Sequence, residues 1–116
     1  MHILVIDDNE LDRGMLQRLF EAEGFSVTLA VDGEDGIDKF QKRPFDLVLC
    51  DIFMPKEGAI GAVRHIRSFA PEVPIIVMTA ADLTLEQVES VLGPVRTIFK
   101  PFRTNQLLAL VEDCLR

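Results

Sequence analysis

The chain has 116 residues, 48% of them hydrophobic and 27% charged, which predicts one soluble globular domain with a single core. Its formal net charge of −7 argues against DNA or RNA as a direct partner. No apolar run approaches the roughly 20 residues of a membrane helix, and acids appear as early as Asp7, so we expect neither a membrane span nor a signal peptide. The sequence therefore predicts a cytoplasmic protein.

Short apolar runs alternate with helix-like patterns along the whole chain. Five of the runs are predicted to be strands: His2–Ile6, Phe25–Ala30, Asp46–Cys50, Val73–Met78 and Val95–Phe99. Apolar residues at helical spacing predict a helix after each strand, within Leu11–Phe20, Ile37–Gln41, Ile60–Phe69, Val88–Leu92 and Leu107–Leu115. Thr84 and Gln87 resemble a capping box at the start of the fourth helix, and Thr104 is predicted to cap the fifth.

This alternation predicts a doubly wound α/β fold, in which helices cover both faces of a five-stranded parallel sheet. The run Leu47–Cys50 is apolar at every position, as expected for a strand that is buried on both faces. With the first strand in the centre, the strand order is 2-1-3-4-5, the flavodoxin-like (βα)5 arrangement. We expect residues 1–116 to form this one domain.

Polar residues stand where four of the predicted strands end. They are Asp7 and Asp8 after the first strand, Asp51 after the third, Thr79 after the fourth and Lys100 after the fifth. In the predicted strand order these ends meet at one edge of the sheet. Three carboxylates that lie close together repel each other unless a cation lies among them, and an oxygen-only ligand set favours Mg²⁺.

A carboxylate beside such a cation can attack phosphorus and form an aspartyl phosphate. Thr79 can donate a hydrogen bond to a phosphoryl oxygen, and Lys100 can neutralise another one. Each residue taken alone has a simpler interpretation. The acidic pair or Asn9 can cap the first helix, Asp51 can end a strand in a turn, Thr79 can bond to nearby backbone, and Lys100 can be a solvated charge.

In this order and context, the chain resembles the receiver domain of two-component response regulators over its whole length. The matching segments are Asp7-Asp8, Asp51 with Met54-Pro55, Thr79-Ala80-Ala81 and Lys100-Pro101-Phe102. The resemblance implies that Asp51 is the phosphoacceptor. It also implies that Asp8, Asp51 and the backbone carbonyl of Phe53 ligate Mg²⁺, with Asp7 contributing through water. In the family the peptide bond that matches Lys100-Pro101 is usually cis.

The same resemblance implies a signalling function. A sensor histidine kinase or a phosphotransfer protein would donate the phosphoryl group, and a downstream effector protein or output domain would respond. The domain would catalyse only its own phosphorylation and dephosphorylation. A homodimer through the fourth helix, fifth strand and fifth helix is a further expectation.

Two other functions remain open. One is a phosphorylation-independent binding module with the same fold. The other is a phosphohydrolase with an aspartate nucleophile, although such enzymes usually carry a second acid two residues after the nucleophile, where Phe53 stands here.

The sequence departs from the family at positions around the site. Ala59 stands where the family usually has glycine, with Gly58 and Gly61 on either side, so the loop after Pro55 is expected to follow a different path. Thr97 stands where an aromatic residue usually moves inward on activation, so switching is expected to depend on Thr79 and the loop after it.

The phosphorylated state is expected to decay slowly. Phe53 and Ala81 stand two residues after Asp51 and Thr79, and neither offers a polar side chain that could orient an attacking water.

Overall fold

The computed structural model describes residues 1–52, 57–80 and 83–116. Its strands are β1 (His2–Ile6), β2 (Ser26–Ala30), β3 (Leu47–Asp51), β4 (Ile75–Thr79) and β5 (Arg96–Phe99). Its helices are α1 (Glu10–Ala22), α2 (Gly33–Lys42), α3 (Glu57–Phe69), α4 (Leu85–Leu92) and α5 (Thr104–Cys114). In these described ranges, no helix combines the length and the apolar character needed to cross a membrane.

All strand pairs in the sheet are parallel, and the order β2-β1-β3-β4-β5 confirms the predicted fold. The register brings the carboxyl ends of neighbouring strands level with each other. Ile6 pairs with Cys50, Asp51 with Met78, and Thr79 with Phe99. The polar residues at or just beyond these positions therefore lie along one edge of the sheet.

Two clusters of buried apolar side chains form the core, one on each face of the sheet. On one face α2, α3 and α4 pack against the sheet through residues such as Phe40, Val63, Ile66 and Val88. On the other face α1 and α5 do so through Phe20, Leu107 and Val111, among others. Because the strands contribute alternate residues to the two clusters, β1, β3 and β4 are apolar at almost every position.

Several element boundaries differ from the predicted ones. Strand β4 begins at Ile75 rather than Val73, since Pro74 has no N–H to donate within the sheet. Helix α3 begins at Glu57, three residues before the Ile60 with which its apolar pattern starts.

Of the two predicted caps, one is confirmed. Thr84 forms a capping box with Gln87, as its spacing indicated. Thr104 was predicted to cap the last helix, but it is the first residue of α5. The residue before it, Arg103, donates its backbone N–H to Oε1 of Gln106 at 2.8 Å.

Candidate functional site

Three carboxylates meet at the carboxyl edge of the sheet. Asp7 follows β1, Asp51 ends β3, and Asp8 lies at the entrance to α1; one oxygen of each lies within 4.8 Å of those of the other two. Asp7 is buried, Asp51 is partly buried and Asp8 is exposed. The structure thus brings together the three acids that the strand-end pattern selected, and the oxygen-only set has the composition that suits a hard divalent cation.

Asp7 is held in an environment that disfavours its charge. Its Oδ1 accepts the backbone N–H of Asn9 at 2.9 Å, while its buried Oδ2 has no hydrogen-bond partner among the described residues. Burial, and next among the raising effects the charge of Asp51, raises the pKa of Asp7 to about 6. A cation at this position would supply the partner that Oδ2 lacks.

The capping interpretation of this segment is correct for Asn9. Its side chain accepts the N–H of Asp12 at 3.0 Å and caps α1. This cap fixes the turn that follows β1 and leaves the side chain of Asp7 at the acidic cluster. Arg13 adds a second restraint, because its Nη1 donates to the backbone carbonyl of Asp7 at 2.7 Å.

Lys100 brings a positive charge to this site. Its Nζ lies 2.8 Å from Oδ2 of Asp51 and 3.7 Å from Oδ2 of Asp12. Burial acts to lower the pKa of Lys100, but the hydrogen bond and charge of Asp51 outweigh it and raise the pKa above its usual value. The Lys100-Pro101 peptide bond is cis, as the resemblance implied.

Thr79 ends β4 and is fully buried. Its backbone carbonyl accepts the N–H of Lys100 at 2.8 Å, which ties the ends of β4 and β5 together. Its hydroxyl makes no hydrogen bond within the part of the chain that the structure describes. A buried hydroxyl without a partner is uncommon, and it is available to donate to a ligand.

A cavity of about 540 Å³ adjoins the acidic cluster. Asp7, Asp12, Asp51 and Lys100 supply its charged wall. Its apolar wall is formed by side chains of α1, β4 and the segment after β5, among them Met15, Leu16, Met78, Pro101 and Phe102. Asp7 and Asp51 of the acidic cluster therefore line a cavity that α1 also borders.

Cys50 precedes Asp51 but is not a candidate nucleophile. It is fully buried, and burial, followed by the charges of Asp51 and Asp7, raises the pKa of its thiol well above the usual value. A thiol held in this protonated state is a poor nucleophile.

Asp12 is the site residue that sequence reasoning did not select. It stands in the first turn of α1, where an acid is common because it favours the positive end of the helix dipole. The sequence therefore gave no reason to separate Asp12 from an ordinary first-turn acid. Only the folded structure reveals that the side chain of Lys100, which follows β5, reaches Asp12.

Phe53, Met54, Pro55 and Ala81 lie outside the described residues. The expected carbonyl ligand at Phe53 and the expected slow decay of the phosphorylated state therefore stay predictions.

A comparison with known protein families gives a match over most of the chain. A family model for the response regulator receiver domain matches residues 3–112. The transcriptional regulatory protein DltR of Streptococcus agalactiae (serotype III) is 37% identical over 113 residues, which cover 97% of this chain and 50% of that protein. The uncharacterized transcriptional regulatory protein YkoG of Bacillus subtilis is 33% identical over 116 residues, 99% of this chain and 51% of that protein. The chain thus spans about half the length of these two relatives.

Solved structures with the same fold extend over nearly the whole chain. The chemotaxis protein CheY4 of Vibrio cholerae has a TM-score of 0.86 at 26% identity, and the match covers 98% of each chain. The receiver domain of the Francisella response regulator 1452 has a TM-score of 0.85 at 25% identity, covering 98% of this chain and 95% of that one.

Proposed function

Because the chain belongs to the response regulator receiver domain family of two-component systems, we propose that Asp51 is its phosphoacceptor and that residues 1–116 act as one receiver domain. The observation that carries this proposal is the position of Asp51. It lies within the three-carboxylate cluster and pairs with Lys100 at 2.8 Å, so a nucleophile, a cation site and a fixed positive charge share one edge of the sheet.

We further propose that Asp8, Asp51 and the backbone carbonyl of Phe53 hold Mg²⁺, with Asp7 contributing through water. The oxygen-only donors and the unpartnered buried Oδ2 of Asp7 support this set of residues. When bound, the ion would offset the carboxylate charges and stabilise the negative charge of the phosphoryl group during transfer.

In the transfer itself, a carboxylate oxygen of Asp51 forms a bond to phosphorus. The bond between phosphorus and the donor breaks, which is a P–N bond for phosphohistidine and a P–O bond for an acyl phosphate, and the donor leaves with the electron pair. Lys100 neutralises charge on the phosphoryl oxygens, and the hydroxyl of Thr79 donates a hydrogen bond to one of them. Asp51, Thr79 and Lys100 are therefore the proposed catalytic residues.

The partners follow from this chemistry. A sensor histidine kinase or a phosphotransfer protein would supply the phosphoryl group, and a downstream effector protein or output domain would read the change. We propose no turnover of a metabolite beyond phosphorylation and dephosphorylation of the domain itself. Dimerisation through α4, β5 and α5 and the cytoplasmic location stay predictions.

The experiment that tests the proposal is intact-mass spectrometry after incubation with acetyl phosphate and Mg²⁺. Wild type should gain the mass of one phosphoryl group, and Asp51→Asn should gain none. Omitting Mg²⁺ and adding a chelator should prevent the gain in wild type.

Each alternative function predicts a different experimental result, and hydrolysis is followed in a separate assay. No gain in wild type would favour the phosphorylation-independent binding module. Steady hydrolysis of a generic phosphomonoester would favour the phosphohydrolase. A gain that persists in Asp51→Asn would place the phosphoryl group on another residue.

A further inference from the structure

Asp12 lies in the first turn of α1 and lines the same cavity as Asp51. Its Oδ2 lies 3.7 Å from Nζ of Lys100. Oδ2 of Asp51 lies 2.8 Å from the same Nζ. The three side chains differ in exposure: that of Asp51 is 8% exposed, that of Lys100 34% and that of Asp12 41%. The ammonium group therefore lies between a nearly buried carboxylate and one closer to solvent.

The local structure fixes where Asp12 can reach. Its backbone N–H donates to the side chain of Asn9, the residue that caps α1, at 3.0 Å. The cap holds the first turn of the helix in place. Asp12 is thus presented to Lys100 by a restrained helix and not by a free loop.

Phosphorylation would change the charge of the Asp51 carboxylate but not that of Asp12. Once an oxygen of Asp51 bonds to phosphorus, that carboxylate loses its own charge and its hold on the ammonium weakens. Asp12 is unchanged by the reaction. Lys100 can therefore stay in its ion pair with Asp12 while its N–H donors, three in an ammonium group, turn toward a phosphoryl oxygen.

We propose that Asp12 is a positioning residue, which holds Lys100 beside Asp51 while the phosphoryl group is transferred. The inference rests on the proposed function of Asp51. Asp12 acts through Lys100 and does not touch the phosphoryl group. A competing effect runs in the opposite direction, since the charge of Asp12 also repels an anionic donor. Salt screens that repulsion, because the Debye length falls to about 8 Å near 0.15 M.

The first measurement is the rate of phosphorylation by acetyl phosphate at saturating Mg²⁺ and about 0.15 M salt. Asp12→Asn should be slower than wild type by about two- to fivefold, the range typical of a partly exposed ion pair. Asp12→Glu should recover most of the rate because it keeps the carboxylate. Glu10→Gln is the matched control: it removes the other acid of the same first turn and should react at the wild-type rate.

The second measurement is the ¹H–¹⁵N signal of the Lys100 ammonium group without any phosphodonor. This signal should be observable in wild type and Glu10→Gln, and it should broaden or disappear in Asp12→Asn as the group exchanges faster with water. Equal or faster phosphorylation of Asp12→Asn, or an unchanged ammonium signal in it, would overturn the inference. Absence of phosphorylation in wild type would instead refute the function of Asp51, and the ammonium signal would still report on the contact.

Discussion

The ammonium group of Lys100 lies beside Asp51, next to the places proposed for Mg²⁺ and for the phosphoryl group. Nζ of Lys100 lies 2.8 Å from Oδ2 of a carboxylate whose side chain is only 8% exposed. The lysine is therefore both a partner of the nucleophile and a positive charge next to the proposed Mg²⁺ site. The charge of Lys100 should weaken Mg²⁺ binding by repulsion and speed phosphoryl transfer by neutralisation. These two effects can be measured separately.

Lys100→Met should bind Mg²⁺ more tightly and accept phosphate more slowly. Removing a positive charge near the acids lowers the repulsion of the ion; two unit charges about 4 Å apart interact by about 1 kcal/mol even in water, so we expect a gain of about fivefold or more. Transfer should slow, since the ammonium group proposed to neutralise the phosphoryl oxygens would be missing. Because the chain has no tryptophan, titration calorimetry is the suitable binding measurement.

Lys42→Met is the control for this variant, because it breaks an exposed ion pair with Asp38 on α2. It should leave both quantities at their wild-type values. Weaker Mg²⁺ binding by Lys100→Met would show that the lysine supports the ion site instead of opposing it.

Asp7 should make the ion-free protein less stable as the pH rises. Its pKa is raised from 3.8 to about 6 in the folded state, so the folded state holds this proton more tightly than the unfolded state does. Below about pH 4 both states are protonated and the effect is absent; above about pH 6 both are ionised and it is complete. The full effect is on the order of 3 kcal/mol.

Urea unfolding followed by circular dichroism, with a chelator present, measures this effect as a difference between two proteins. The free energy of unfolding of Asp7→Asn minus that of wild type should increase between about pH 4 and pH 6 and then level off. Mg²⁺ at neutral pH should stabilise wild type more than the variant. A difference that is flat or decreases with pH would contradict the prediction that ionised Asp7 destabilises the folded state.

Gly33→Ala should destabilise the fold by about 1 to 3 kcal/mol, the range typical of overpacking. A Cβ at Gly33, the first residue of α2, would lie 1.9 Å from the carbonyl oxygen of Gly58 in α3. The atom it meets is backbone, so it cannot move aside as a flexible side chain could. Gly61→Ala is the control, since its Cβ meets nothing within 4 Å and alanine favours a helix.

Thermal or urea unfolding of the two variants and of wild type measures these differences in stability. Gly61→Ala should equal or exceed the stability of wild type, and Gly33→Ala should fall below it. Equal stability of Gly33→Ala and wild type would mean that the close contact between α2 and α3 is not needed.

The sheet and most of its polar edge could be predicted because they depend on local pattern. Continuous apolar runs identify β1, β3 and β4, and the residue that follows each run is read directly from the sequence. Parallel strands place these ends on the same side, so Asp7 and Asp51 could be expected to meet before any distance was known.

The features that escaped prediction depend on packing between distant segments. The contact between Asp12 and Lys100 requires the position of α1 relative to β5, which no spacing rule encodes. The contact between Gly58 and Gly33 also depends on packing between distant segments. The sequence showed that Gly58 and Ala59 depart from the usual order, but only the packing of α2 reveals that the carbonyl of Gly58 lies against Gly33.

Helix α4 is tied to α3 by arginine side chains, which bears on how the domain switches. Nη2 of Arg64 donates to the carbonyl of Val91 at 2.8 Å, and Arg67 donates to the carbonyls of Leu92 and Pro94. The bonds to Val91 and Leu92 satisfy carbonyls that the end of a helix leaves without partners. Helix α4 is therefore anchored at its carboxyl end, close to β5.

Thr97 adds to this expectation. It is partly buried in β5, and its hydroxyl bonds to the carbonyl of Val95 at 3.2 Å. It has no ring to move inward, so a phosphate mimic should change the surroundings of Thr79 more than the position of α4. With beryllofluoride and Mg²⁺, backbone amide signals should shift strongly near Thr79 and weakly in α4.

The anchoring can be tested by releasing it. In a variant with both Arg64→Ala and Arg67→Ala, the beryllofluoride-induced shifts in α4 should increase, while those near Thr79 should keep their size. Arg18→Ala, which removes an exposed arginine from α1, is the control and should behave as wild type. A displacement of α4 in wild type as large as in relatives with the aromatic residue would contradict the prediction, because neither the arginines nor Thr97 would then limit the movement.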